Sequence, residues 1–176
     1  SAATAHRFWY GARCREEGQV PMAITEIIPL TDTSLDLIEL RHRRRESALH
    51  QFVQSAFEHQ AVRHADLLES LLCRRERLGT TALGRGFAVT GLWSMCVRAP
   101  LVLVGVSERG LEWEAGDERL VHLAALVLTP GENPEEMHFR RVSAVVAGLR
   151  LQRQRQRLID RRELAVLGTL LREVPR

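Results

Sequence analysis

The chain contains no lysine: all 25 of its basic residues are arginine. A GC-rich genome explains that bias, and it assigns no ligand. Aromatic residues make up 5% of the sequence, with a single tyrosine. That is too few for a platform on which bases stack. The net charge is only +3, with 22 carboxylates interspersed among the arginines. The high isoelectric point therefore does not mark a nucleic-acid binder. Cys14, Cys73 and Cys96 are odd in number and scattered, which fits reduced thiols of a cytosol better than a disulfide framework. Neither CxxC nor a Cys/His zinc spacing occurs. His42, His50, His59 and His64 fall on or near a polar helix face without ligand spacing. No metal and no cofactor are expected. No apolar run reaches the roughly 18 residues of a membrane-spanning helix. The opening Ser1-Ala2-Ala3 has neither a basic n-region nor an apolar h-region and reads as a cut piece or a tag scar, not as a signal peptide.

The 176 residues, 45% apolar and 27% charged, suit one domain with a substantial core. Residues 1–22 stand apart. His6-Arg7-Phe8-Trp9-Tyr10 sets three aromatics beside bases, and Arg13 and Arg15 follow. This reads either as a polar tail or as a juxtamembrane stub, aromatics at the interface followed by cytosolic arginines. The domain proper is placed at 23–176. Ile24–Pro29 suggests a helical turn and Leu35–Leu40 a first strand. Leu49, Phe52, Val53, Ala56 and Phe57 recur at helical spacing. A second helix runs through Leu67, Leu68, Leu71 and Leu72 and ends near Leu78, with Gly79 at the terminating position. Strands are expected at Phe87–Thr90, Pro100–Ser107 and Leu120–Leu128. Asn133-Pro134-Glu135-Glu136 reads as a helix start with Asn133 as cap. Phe139, Val142, Val145, Val146 and Leu149 give that helix one apolar face. Residues 151–174 add one or two helices, and the Arg/Gln alternation from Arg150 to Arg157 reads as a solvated face. The two long apolar strands look buried on both sides, which requires helices on each side of a sheet. The expected fold is therefore a three-layer α/β/α sandwich with a small mixed sheet.

The richest segment is Arg75-Glu76-Arg77-Leu78-Gly79-Thr80-Thr81-Ala82-Leu83-Gly84-Arg85-Gly86-Phe87-Ala88-Val89-Thr90-Gly91. It is neither a Walker loop nor a dinucleotide fingerprint, because no strand, glycine loop and helix follow in that order. It resembles the signature of the type-2 EIIA domains of the bacterial phosphotransferase system, the fructose, mannitol and nitrogen-regulatory group, whose pattern is close to R-E-x-L-G-S-T-x-x-G-x-G-I-A-I-P-H-G. The likeness extends over about residues 23–173. It includes the two helices at 46–77, Val121-His122-Leu123 before an apolar strand, and a following helix at Glu135–Val146 that carries His138.

The resemblance implies the same sandwich and, in the family, a histidine that accepts a phosphoryl group on a ring nitrogen. Here Ile-Pro-His reads Val89-Thr90-Gly91, and glycine cannot accept phosphate. No catalytic residue is assigned; His122, matched to the histidine that lies beside the phosphorylated one, is the substitute to test. Arg75, Thr80, Thr81 and His122 form a candidate residual anion site, or else serve as inherited structural residues. Trp93 and Trp113 read either as a cover over the site or as core aromatics.

Three functions follow as expectations. The first is a regulatory module that binds a protein partner or a small anion without phosphotransfer. The second is a phosphocarrier that uses His122. The third, compatible with the first, is a cytoplasmic domain attached to a membrane transporter, because Phe8–Arg15 looks like the exit from a last membrane helix of amino-acid permeases. No nucleic-acid partner is expected.

Overall fold

A computed structural model of the chain describes residues 30–172. The expected tail at 1–22, Cys14 and the turn at 24–29 lie outside the described residues. Five strands form one mixed sheet: β1 Ser34–Glu39, β2 Ala82–Gly84, β3 Phe87–Ser94, β4 Leu101–Leu111 and β5 Val121–Pro130. Five helices cover it: α1 Arg45–Glu58, α2 Ala65–Leu78, α3 Glu135–Leu149, α4 Gln152–Arg161 and α5 Leu164–Arg172. The strand order is β1-β4-β5-β3-β2. β1 runs parallel to β4 and β3 parallel to β5, while β4–β5 and β2–β3 are antiparallel.

Alternation along the central strands builds two cores. Leu101 and Leu103 of β4, with Ala124, Leu126 and Leu128 of β5, face Leu49, Phe52 and Val53 of α1 and Leu68 and Leu72 of α2. Val102, Val104, Leu123, Ala125 and Val127 point the opposite way, onto Val142 and Val145 of α3, Leu158 of α4 and Leu167 of α5. Both sheet faces are dry because a helical layer closes each. The three-layer sandwich expected from the two apolar runs is the fold. No helix among the described residues is long and apolar enough to cross a membrane.

Several boundaries differ from the sequence reading. β3, expected to end at Thr90, continues through Ser94, so Gly91, Leu92 and Trp93 are strand residues. β4 continues past Arg109-Gly110 to Leu111, with its register against β5 shifting between Val106 and Leu111. Pro134, not Asn133, occupies the cap of α3, and no side chain caps it. Phe57 does not join the core; it is 52% exposed at the end of α1. The backbone at Gly79 is extended, and its N–H returns to the Glu76 carbonyl.

The Arg/Gln alternation also hides one structural residue. Arg155 is buried. Its Nη1 donates to the Leu149 and Arg150 carbonyls at 2.8 and 2.7 Å, and its Nη2 donates to the Arg85 carbonyl at 3.3 Å. The guanidinium carbon stands 5.3 Å from the centre of the Phe87 ring, within cation–π range. One side chain thus ties the end of α3, the start of α4 and the β2–β3 turn. Arg155→Ala is expected to lower the unfolding free energy by about 2–4 kcal/mol, because three carbonyls lose a charged donor. Urea unfolding of the variant, with the exposed Arg157→Ala unchanged beside it, checks this.

Candidate functional site

The Arg75–Gly91 segment leaves α2, turns through β2 and enters β3. Its organising group is Glu76, a buried carboxylate. A buried charge needs donors, and Glu76 has three. Thr81 Oγ1 donates to Oε1, while the Thr81 backbone N–H and Trp113 Nε1 donate to Oε2 at 3.2 Å each. Trp113 Nε1 also lies 3.2 Å from Thr81 Oγ1. Thr80 Oγ1 donates to the Trp113 carbonyl at 3.0 Å, and Arg75 Nη1 donates to the Gly79 carbonyl at 3.1 Å. The loop hydroxyls and Arg75 thus each donate to an acceptor within the domain. Trp113 is a core aromatic of this node. Trp93 is exposed, and its Nε1 donates to the Asn133 carbonyl.

Gly91 lies in β3 opposite Val127 of the parallel strand β5. A Cβ added there would stand 2.8 Å from the Val127 carbonyl oxygen, 3.1 Å from His138 Cε1 and 3.4 Å from Val127 Cβ. The strands and the imidazole have closed over the position. His138, on the first turn of α3, is only 5% exposed. Its Nδ1 is 3.0 Å from Thr129 Oγ1. Burial, reinforced by the positive charge of Arg141, lowers its pKa to about 4, so the ring is neutral at pH 7. Arg141 is itself buried. It donates through Nη1 to Thr129 Oγ1 at 3.4 Å, through Nε to Thr33 Oγ1 at 3.0 Å, and through Nη2 to Asp32 at 2.7 Å. With an arginine donor on one side, the Thr129 hydroxyl can offer its own proton to Nδ1, which suits a neutral ring. Desolvation would raise the pKa of Asp32, but the Thr33 hydroxyl and the Arg141 charge outweigh it and lower the pKa. Thr90 Oγ1 is buried without a partner among the described residues.

His122 sits elsewhere. Its backbone N–H meets the Gly86 carbonyl at the start of β3, and the ring lies beside Gly110, where an added Cβ would meet Cε1 at 3.1 Å. Five strand positions separate Gly86 from Gly91, about 16 Å along β3. The expectation that His122 stands beside position 91 is corrected by this register: the histidine there is His138. His122 Nδ1 faces the Ser107 carbonyl at 3.0 Å. The candidate anion group thus falls into two places, Arg75, Thr80 and Thr81 around Glu76, and His122 against β4. No cluster of three His, Cys, Asp or Glu side chains suited to a metal occurs among the described residues.

Comparison with known proteins decides the family. The model for the phosphoenolpyruvate-dependent sugar phosphotransferase system, EIIA 2, matches residues 32–173. The chain belongs to that family. A fructose-specific EIIA component from Haloferax volcanii is 25% identical over 153 residues, covering 87% of this chain and 99% of its own length. The nitrogen regulatory protein IIA-Ntr of Neisseria meningitidis superposes with a TM-score of 0.69 at 19% identity, over 82% of this chain and 96% of that one. The structure of the Escherichia coli complex of enzyme IIA mannitol with phosphorylated enzyme IIB mannitol gives a TM-score of 0.61 at 16% identity, over 76% and 92%.

In this EIIA domain the sequence reading reached Gly91 but missed its neighbours Thr129, His138 and Arg141 as a group. The available signal was topological. A helix that follows a strand parallel to β3 begins at the same end of the sheet where β3 finishes, so the first turn of α3 had to face Gly91.

Two predictions follow. Glu76→Ala leaves the Trp113 and Thr81 donors buried and unmet, and is expected to cost about 3 kcal/mol by urea unfolding, with Glu76→Gln milder. His138 binds its proton more readily in the unfolded chain than in the folded one. Its contribution is therefore whole above about pH 6.5 and is lost as the pH falls toward 4, by up to about 3 kcal/mol. His138→Asn should flatten that part of the pH–stability curve.

Proposed function

We propose that this chain is an EIIA domain that has given up phosphoryl transfer and works by contact with a protein partner, on the cytoplasmic side. The carrying observation is Gly91. By the family resemblance this is the place of the phosphoryl-accepting histidine, and here the Val127 carbonyl and the His138 ring already occupy the approach that a side chain would need. Histidine is thus absent, and its return meets a steric barrier. His138 does not substitute for it, because the ring is sealed from solvent and engaged with Thr129.

Contact with a partner is supported by what surrounds the position. Trp93 on β3 and Met95 just past its end are large and exposed, and aromatic and methionine side chains are favoured at protein interfaces. In the E. coli mannitol complex the partner of the IIA enzyme is the phosphorylated IIB enzyme; here the corresponding role is that of a binding face without group transfer. Attachment to a membrane transporter, suggested by Phe8–Arg15, is compatible with this role. We read Thr80 and Thr81 as framework residues and not as a site for a small anion, since each hydroxyl already has a protein acceptor.

A second reading, phosphoryl transfer on His122, is favoured by one feature. A carbonyl can only accept, so in the neutral ring the nitrogen facing Ser107 carries the proton and the other holds the lone pair a nucleophile needs.

Intact mass after incubation with phosphoenolpyruvate, enzyme I and the histidine-containing phosphocarrier protein separates the two. The expected result is no phosphoryl adduct, beside an active EIIA that shifts. An adduct lost in His122→Ala would establish the second reading. Gly91→His is expected to remain unphosphorylated and to lose about 3 kcal/mol of stability through overpacking.

A further inference from the structure

One end of the sandwich carries large apolar side chains that neither core uses. β3 and the parallel β5 both finish there, with Ser94 opposite Pro130. The turn between α1 and α2 is fastened to the same end. Val62 bridges Val97, the Arg63 N–H donates to the Cys96 carbonyl at 2.8 Å, and the Arg98 N–H donates to the Ala61 carbonyl at 2.7 Å. The Gly131 N–H donates to the Ser94 carbonyl at 2.8 Å, which brings in the loop before α3. Phe57, Trp93 and Met95 are 52%, 39% and 59% exposed at this end.

The two sides of this end differ in charge. α1 and α2 cover one face of the sheet and α3 the other. On the α1 side, Phe57, Glu58, Val62, Arg63 and Arg98 line a hollow of about 740 Å³. Arg63 is paired with Glu132 at 3.2 Å, whereas Arg98 is exposed and has no ion-pair partner among the described residues. On the α3 side, Trp93 shares the sheet face of Val89 by alternation. Its Nε1 donates to the Asn133 carbonyl, two residues before α3. Glu136 pairs with Arg140, but Glu135, exposed in the first turn of α3, has no ion-pair partner among the described residues. One side thus offers a hollow with an unmet cation, and the other an indole with an unmet carboxylate. Met95, against Gly131 at the strand ends, lies between them.

From these observations we infer that this end docks on a second copy of the chain, in a two-fold dimer. A two-fold axis sets each patch of a surface against the other, and here the two patches complement each other. The Trp93 indole of each copy enters the hollow beside Phe57 of the other, Glu135 meets Arg98, and the two Met95 side chains meet near the axis. An unrelated protein would have to supply both halves of this pattern; a second copy supplies them because it presents the same surface. The inference rests on the reading of the Trp93–Met95 end as a contact face and names the partner. Glu58, on the rim of the hollow, stands near where the second Glu135 arrives, so the expected dimer is weak and reversible. Such a dimer covers the face that another protein would use, and its population falls as that protein binds.

The test is sedimentation equilibrium of the full chain over about 5–500 μM, the affinities open to a small interface. The mass is expected to rise with concentration from that of one chain to that of two, and to stop there. Arg98→Glu and Glu135→Arg, each with the parent's circular dichroism spectrum, are expected to weaken the dimer at least about tenfold. Each reversal sets like charges against one another at both symmetry-related contacts. Mixed in equal amounts, the two variants should associate with each other about as tightly as the parent, because every reversed charge then faces its opposite. Met95→Asp should weaken the dimer, Glu58→Gln should tighten it, and Arg77→Glu, exposed on α2, should leave it unchanged. The inference is overturned by a single-chain mass across the range, by masses beyond two chains, by single variants that associate as the parent does, or by a mixture no tighter than its components. A single-chain mass does not bear on phosphoryl transfer, which the phosphoenolpyruvate incubation decides, and an adduct in that incubation leaves the dimer standing.

Discussion

A carboxylate sealed inside a protein has to collect hydrogen-bond donors, and the donors that Glu76 collects determine how this domain closes. They come from two segments distant in sequence, the threonine loop after α2 and the Trp113 loop between β4 and β5. Joining them ties the loop that leads into β2 and β3 to the loop between β4 and β5. The conspicuous hydroxyls and Arg75 are drawn into this node. Thr81 donates to the buried acid itself, Thr80 to the Trp113 carbonyl and Arg75 to the Gly79 carbonyl, so each of the three has an acceptor within the domain.

The layer order was legible because two strands carry uninterrupted apolar runs, and a strand wet on one face would have alternated. The helices were legible from their spacing, with the misplaced residues at their ends. Phe57 and Leu67 fit the periodicity yet remain exposed, because an apolar spacing records which side a residue takes and not how far the sheet extends beneath it. Gly91 follows the end of the expected strand in one dimension, whereas in three it is a strand residue between a carbonyl and an imidazole. His122 and His138 were equally visible as letters. Only the pairing of β3 with β5 tells which of them is near position 91. Arg155 looks like each of its exposed neighbours, and nothing in an Arg/Gln repeat marks the one arginine that turns inward to cap α3.

Position 91 joins chemistry to packing. An imidazole on this strand would need room on the α3 side of the sheet, and β5 together with the first turn of α3 now takes that room. The missing nucleophile that we propose and the close packing around position 91 point the same way. The sheet beneath is undisturbed, and both cores continue through the neighbouring residues Val89 and Val127 on one face and Ala88 and Leu126 on the other.

The order of pairing within the sheet has a kinetic consequence. β4 and β5 are joined by a short connection, whereas Ser34 of β1 finds its partner in Leu101, 67 positions further along the chain. Closing a loop of that length costs about 4 kcal/mol of chain entropy before any contact repays it. The hairpin of β4 and β5 is therefore the natural early nucleus, and β1 adds to a sheet that already exists. An edge strand acquired last is also the first to detach. Amide protons of β1 should thus exchange ahead of those in β5, whose two strand neighbours must both separate before its amides meet water.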